Sequence, residues 1–167
     1  MKLILPSHFI ALMLATTGLG AQRPAAEIIE YGIYSGGHQT SVADTNAPTG
    51  QLLLGGPVKL EKQTNRIPAR LKSKFGFRYV VHGEPAGAPV RLHFRYLFPQ
   101  IKDQASGKEM NSYDMSAVAK LEDRNPQMLW DFGQPSELVS GEWTFQILLG
   151  EQIILEKKFE VVRADAK

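Results

Sequence analysis

An all-β antiparallel sandwich of seven to nine short strands is the fold this sequence predicts, and three observations predict it. In residues 142–149, Trp143, Phe145, Ile147 and Leu149 alternate with Glu142, Thr144, Gln146 and Leu148, the period of a strand with one buried face. Phe75, Phe77, Tyr79 and Val81 repeat the pattern, as do Val90, Leu92, Phe94, Tyr96 and Phe98. No stretch carries a convincing long-helix period. The approach Leu138-Val139-Ser140-Gly141-Glu142-Trp143, leading into a long closing hairpin, suits the last two strands of an immunoglobulin-like sandwich.

In chain order, Lys2 gives a short positive start, and Leu3 to Leu19 are apolar apart from Pro6, Ser7, His8, Thr16, Thr17 and Gly18. Gly18, Gly20 and Ala21 suit a cleavage site, so residues 1–21 read as a signal peptide cut after Ala21. An uncleaved anchor is the alternative, disfavoured by a run that is short for a span and interrupted by Pro6 and His8. Gln22 stands where a lipid-anchored form needs cysteine. Residues 22–167 then form one domain, with its core in 27–162. A chain of that size buries about 68–70% of its unfolded surface and needs no disulfide staples.

Glu27 to Ser35 reads as a first strand, in which Gly32 marks a bulge or a close backbone approach. Gly36 to Gly50 reads as loop or ragged edge, Gln51 to Leu54 as a short strand, and Val58 to Thr64 as a more exposed one. Pro68 breaks the pattern at Arg66 to Arg70. Phe75 to His82 and Val90 to Phe98 read as a pair joined by the turn Gly83 to Pro89, the centre of one sheet. Gln100 to Asn111 is polar and reads as loop. Ser112 to Lys120 reads as a short edge strand, with a helical turn over Met115 to Leu121 as the alternative. Met128 to Phe132 is another strand. Gly150-Glu151-Gln152 turns the closing hairpin, whose return strand carries Ile153, Leu155, Phe159 and Val161.

Three stretches together resemble a bacterial family catalogued only as a domain of unknown function, number 3859. They are Glu30 to Tyr34, Arg66 to Leu71 with Phe75 to Tyr79, and Glu137 to Phe145. The resemblance spans nearly all of Ile28 to Val162, with Ser140 standing where proline is expected. It implies an exported bacterial β-domain and brings no catalytic or binding residues with it.

Composition excludes some chemistry. The chain has no cysteine, which removes thiol nucleophiles and cysteine-ligated metals and is compatible with a bacterial periplasm. A net charge of +2 is well short of a nucleic-acid-binding signature. If Phe77 opposes Tyr96 and Tyr79 opposes Phe94, the other face of the pair collects Arg78, Val80, His82, Arg91, His93, Arg95 and Leu97. Arg78 and Arg95 then repel unless an anion or acidic partner lies across them, or neighbouring carboxylates neutralise them. Arg78, Arg91, His93 and Arg95 are therefore the candidate ligand-binding residues.

His82 and His93 lack the carboxylate pattern of a metal site. Ser35 to His38 lacks the strand-to-helix context of a nucleophile loop. Glu137 and Glu142 flank Trp143, yet nothing fixes their separation, and cap or turn roles suit them. Trp143 reads as core. Met110, Met115 and Met128 are too scattered to establish an adaptable binding surface. The expectation is a non-catalytic interaction module of the bacterial envelope, periplasmic or secreted, with a protein or envelope component as partner. It needs no cofactor, metal, nucleic acid or membrane span in its mature form. A small-ligand, carbohydrate or anion module and a hydrolase with unassembled carboxylates are the alternatives.

Overall fold

The computed structural model describes residues 24–37, 40–44, 47, 51–54, 56–102 and 107–164, so the expected signal segment and His38 lie outside the described residues. Strands follow one another along the chain: β1 (Ala25–Gly36), β2 (Thr40–Ala43), β3 (Gln51–Leu54), β4 (Val58–Lys62), β5 (Arg66–Ala69), β6 (Lys74–His82), β7 (Pro89–Lys102), β8 (Glu109–Lys120) and β9 (Gln127–Asp131). A 3-10 turn, Pro135–Glu137, precedes β10 (Gly141–Leu149) and β11 (Gln152–Arg163). One sheet has the order β4-β1-β6-β9 and the other β5-β11-β10-β7-β8, with β2 and β3 paired separately.

Among the described residues, all pairings are antiparallel except β5 with β11. Arg66 to Ala69, expected to break the strand pattern, is therefore a short edge strand. Proline is tolerated at a sheet edge, where it removes no ladder donor. Ile67 beside it is fully buried. The polar stretch after Phe98 also departs from expectation, because β7 runs to Lys102 and β8 begins at Glu109. Met115 to Leu121 continues β8 into a turn and forms no helix.

The largest correction concerns β6 and β7. They do not pair; they lie in opposite sheets, and the chain crosses from one to the other through residues 83–88. Each presents an aromatic face, and the two faces cover one another across the interior. Tyr79 and Phe94 have ring centroids 6.1 Å apart. Had the strands paired side by side, both aromatic faces would have pointed the same way and relied on other strands of the opposite sheet to cover them.

The interior is a network of rings. Phe75 packs on Phe132, Trp143, Phe145 and Phe159, while Trp130 packs on Tyr96, Phe98, Tyr113 and Trp143. In β10, flanked by β11 and β7, residues 143–148 are all buried, including Thr144 and Gln146. The Gln146 amide donates to Glu156 Oε2 at 2.7 Å, which satisfies it. A register shift between Ile147 and Leu148 places Ile153 opposite Leu148 on the outer face. Ile153 is thus exposed, against its expected place in the core.

Gly32 is a close approach, as its position inside β1 predicted. A Cβ there would lie 2.0 Å from the Lys62 carbonyl oxygen.

Candidate functional site

The four candidate binding residues divide between the two sheets. Arg78, on β6, ion-pairs with Glu30 of the adjacent strand at 3.3 Å. Arg91, His93 and Arg95 share the outer face of β7 in the other sheet. The predicted opposition of Arg78 and Arg95 does not exist, because their strands are in different sheets. Arg95 Nε donates to Asp114 Oδ1 at 2.8 Å, and His93 Nδ1 lies 2.8 Å from the Ser116 hydroxyl. Arg91 stands opposite Val118 and has no ion-pair partner among the described residues. Lys120, two residues further along the same face of β8, has none either. An uncompensated basic pair thus flanks Val118, which is 59% exposed.

Beside this pair, the sandwich is open. β9 pairs with β6 only over Lys74 to Arg78, and past it the Tyr79 N–H bonds the Pro126 carbonyl at 3.1 Å. Across the gap, the inward residues of β8 shrink from Tyr113 and Met115 to Ala117 and Ala119. The missing volume is a cavity of about 260 Å³, floored by Tyr79 and Phe94, walled by Ala117 and Ala119, and rimmed by Lys120 and Asp123. The Tyr79 hydroxyl makes no hydrogen bond among the described residues. Burial, and then the charge of Asp123, push its pKa well above the usual phenol range, so it stays a neutral donor. The drop from large to small inward residues along β8 was a readable sign of this cavity. It stayed unread because nothing in the sequence shows where β9 stops.

β8 itself is the edge of the five-stranded sheet, and among the described residues it pairs only with β7. The Leu121 N–H bonds the Ala88 carbonyl, and the Gly87 N–H bonds the Leu121 carbonyl. Counting back from Leu121, alternation along the strand turns the backbone N–H and C=O of Lys120, Val118, Ser116 and Asp114 away from the sheet.

Elsewhere, titratable groups serve the frame. His82 bridges Glu27 and Glu122, at 3.2 Å to each. These hydrogen bonds hold its pKa above the ordinary imidazole value. Glu142 pairs with Lys158 at 2.9 Å. Met128 is core, and Met110 and Met115 are half-buried along β8. No group of three or more His, Asp or Glu side chains that could hold a metal occurs among the described residues. Nor is any helix there long and apolar enough to cross a membrane.

Glu137 is the exception to surface titration. Its side chain folds back over the 3-10 turn, where Oε2 accepts the Gln134 N–H at 2.7 Å. Only 4% of the residue is exposed. Burial raises its pKa to about 7, against the opposing pull of the Gln134 and Gly133 N–H groups. The unfolded chain loses this proton near pH 4.5, whereas the folded chain holds it to about 7. Stability from this group is therefore fully present below pH 4.5, falls as pH rises through that window, and is gone above it. The loss amounts to about 3 kcal/mol. Urea unfolding at pH 5 and pH 8 should show that Glu137→Gln loses less stability with rising pH than the parent. Equal losses in both proteins would contradict the assignment.

Two sheets of antiparallel-rich pairing around one aromatic core define this chain as an immunoglobulin-like β-sandwich domain. The solved structure of an immunoglobulin-like protein from Pseudomonas aeruginosa is similar to it, with a TM-score of 0.55 and 27% identity. That match covers 82% of this chain and 96% of the other. The chain belongs to the family described as Domain of unknown function (DUF3859), which matches residues 22–161. None of the curated proteins matches it.

Proposed function

We propose that this domain is a non-catalytic interaction module of the bacterial cell envelope, exported by its N-terminal segment, which engages a protein partner by strand addition. The observation that carries this reading is the β8 edge: twelve residues of strand, bonded on one side only among the described residues. An extended peptide adds to such an edge through main-chain hydrogen bonds, which supply affinity, while side-chain pockets supply specificity. None of the other edges of these two sheets, β4 and β9 with five residues each and β5 with four, offers a comparable length.

The test is crosslinking of a tagged, exported copy in its own host, followed by mass spectrometry of what is attached. One saturable partner is expected, and Val118→Pro should release it. Proline removes an outward-facing donor there without touching the bonds to β7. A partner that stays attached to the folded Val118→Pro protein would sink the strand-addition reading.

A further inference from the structure

We infer that the β8 edge takes an extended peptide of alternating acidic and apolar residues, seated with one apolar side chain in the cavity over Tyr79 and Phe94. This deepens the strand-addition reading and rests on it. The edge sets the backbone direction of anything that pairs with it. Successive side chains of an added strand then point alternately to the outer face of the sheet and toward the sandwich interior.

On the outer face, two cations act on the added residues: Lys120 of the adjacent β8, and Arg91 of β7 one strand further in. These have no ion-pair partner among the described residues, whereas Arg95 is already held by Asp114. Opposite charges on neighbouring strands attract and like charges repel, and Arg91 adds a longer-range positive field, so the outward residues of the peptide are acidic.

On the inner side, the added residues meet the open seam. Ala117 faces inward yet is exposed, because no strand of the opposite sheet reaches it. The cavity beyond it holds about 260 Å³. Sites for drug-sized ligands run from about 300 to 1,000 Å³, whereas an engineered cavity of about 150 Å³ already takes benzene. The space therefore suits a single side chain, such as leucine, better than a free small molecule. A large apolar residue entering it completes the core that Ala117 and Ala119 leave unfilled.

The probe is the capped peptide Thr-Glu-Val-Glu-Leu-Glu-Val-Thr, titrated against the folded domain by fluorescence anisotropy and by backbone NMR. Two companions carry lysine for each glutamate and alanine for the leucine and valines. The glutamate–leucine peptide should bind, with amide shifts confined to β8 and the cavity. Either companion should bind at least tenfold more weakly. On the protein, Ala117→Leu, which fills the cavity at an exposed position, and the charge reversal Arg91→Glu should each cost at least tenfold. Circular dichroism checks that both variants fold.

Equal binding of the glutamate and lysine peptides, or indifference to Ala117→Leu, overturns this inference. So does self-association of the domain through β8 in sedimentation, which would make a second copy the occupant. If no peptide binds, yet Val118→Pro still releases the partner captured in the host, the recognition chemistry is wrong and the module reading stands. If Val118→Pro releases nothing, both fall.

Discussion

Trp143→Ala should cost about 3–5 kcal/mol, the range for truncating a large, fully buried aromatic. Trp143 has no exposed surface and contacts Phe75, Phe98, Trp130 and Phe132 at centroid distances of 5.1 to 5.7 Å. Its indole N–H donates to the Val139 carbonyl at 3.3 Å, tying the approach to β10 onto the core. Alanine removes both the ring contacts and that tie, and rings packed from both sheets are poorly placed to close the void. Native domains have roughly 5–15 kcal/mol in hand, so about a fifth or more of the total is at stake. Thermal unfolding should show a midpoint lowered by more than about 6 °C. Trp143→Phe, which keeps a ring but loses the tie, should fall between the two. A midpoint within about 2 °C of the parent for the alanine variant would mean that Trp143 does not anchor the core.

Gly76→Ala should be worse, leaving little or no folded protein. Gly76 sits in the middle of β6 with φ at +149°, paired directly with Gly32 of β1. An added Cβ would lie 2.1 Å from the Met128 carbonyl oxygen of β9. That neighbour is backbone, held by the ladder, so relief requires moving a strand. Gly87 is the control. Its φ is also positive, +79°, but a Cβ there meets nothing within 4 Å. Gly87→Ala should therefore cost only the backbone term, about 1–2 kcal/mol. Soluble, cooperatively unfolding Gly76→Ala protein with a cost like that of Gly87→Ala would show that β9 yields easily. The clash argument would then fail.

These two positions differ in how far they could be read in advance. Trp143 was legible as core from alternation alone, since a strand with one apolar face must bury it. Gly32 was legible as a close approach because glycine inside a strand has few other uses. Gly76 was not, although it lies between Phe75 and Phe77. Its importance comes from β9, which is distant in sequence. Ser112 to Lys120 was readable as an edge from its polar outward residues. The 260 Å³ cavity behind it was marked only by the drop from Tyr113 and Met115 to Ala117 and Ala119, a sign that means nothing until the neighbouring strand is known to stop short. Glu137 was read as a cap or turn residue, and its bond to the Gln134 N–H has that character. The desolvation that moves its pKa to about 7 depends on what packs over it.

Local alternation was enough to read the longer strands, the all-β class and the aromatic content of the core, because period two is a property that each strand carries alone, whereas the short edges β2 and β5 lack it. Tertiary structure alone decided which apolar face covers which. Alternation states that Phe77 and Phe94 are buried, and it is equally satisfied whether β6 and β7 lie side by side or face to face. That one choice separated Arg78 from Arg91 and Arg95, gave Arg95 its Asp114, and left Arg91 and Lys120 unpaired among the described residues beside an open seam. Placed in opposite sheets, the two aromatic faces cover one another across a single two-layer core, which is where apolar burial drives them.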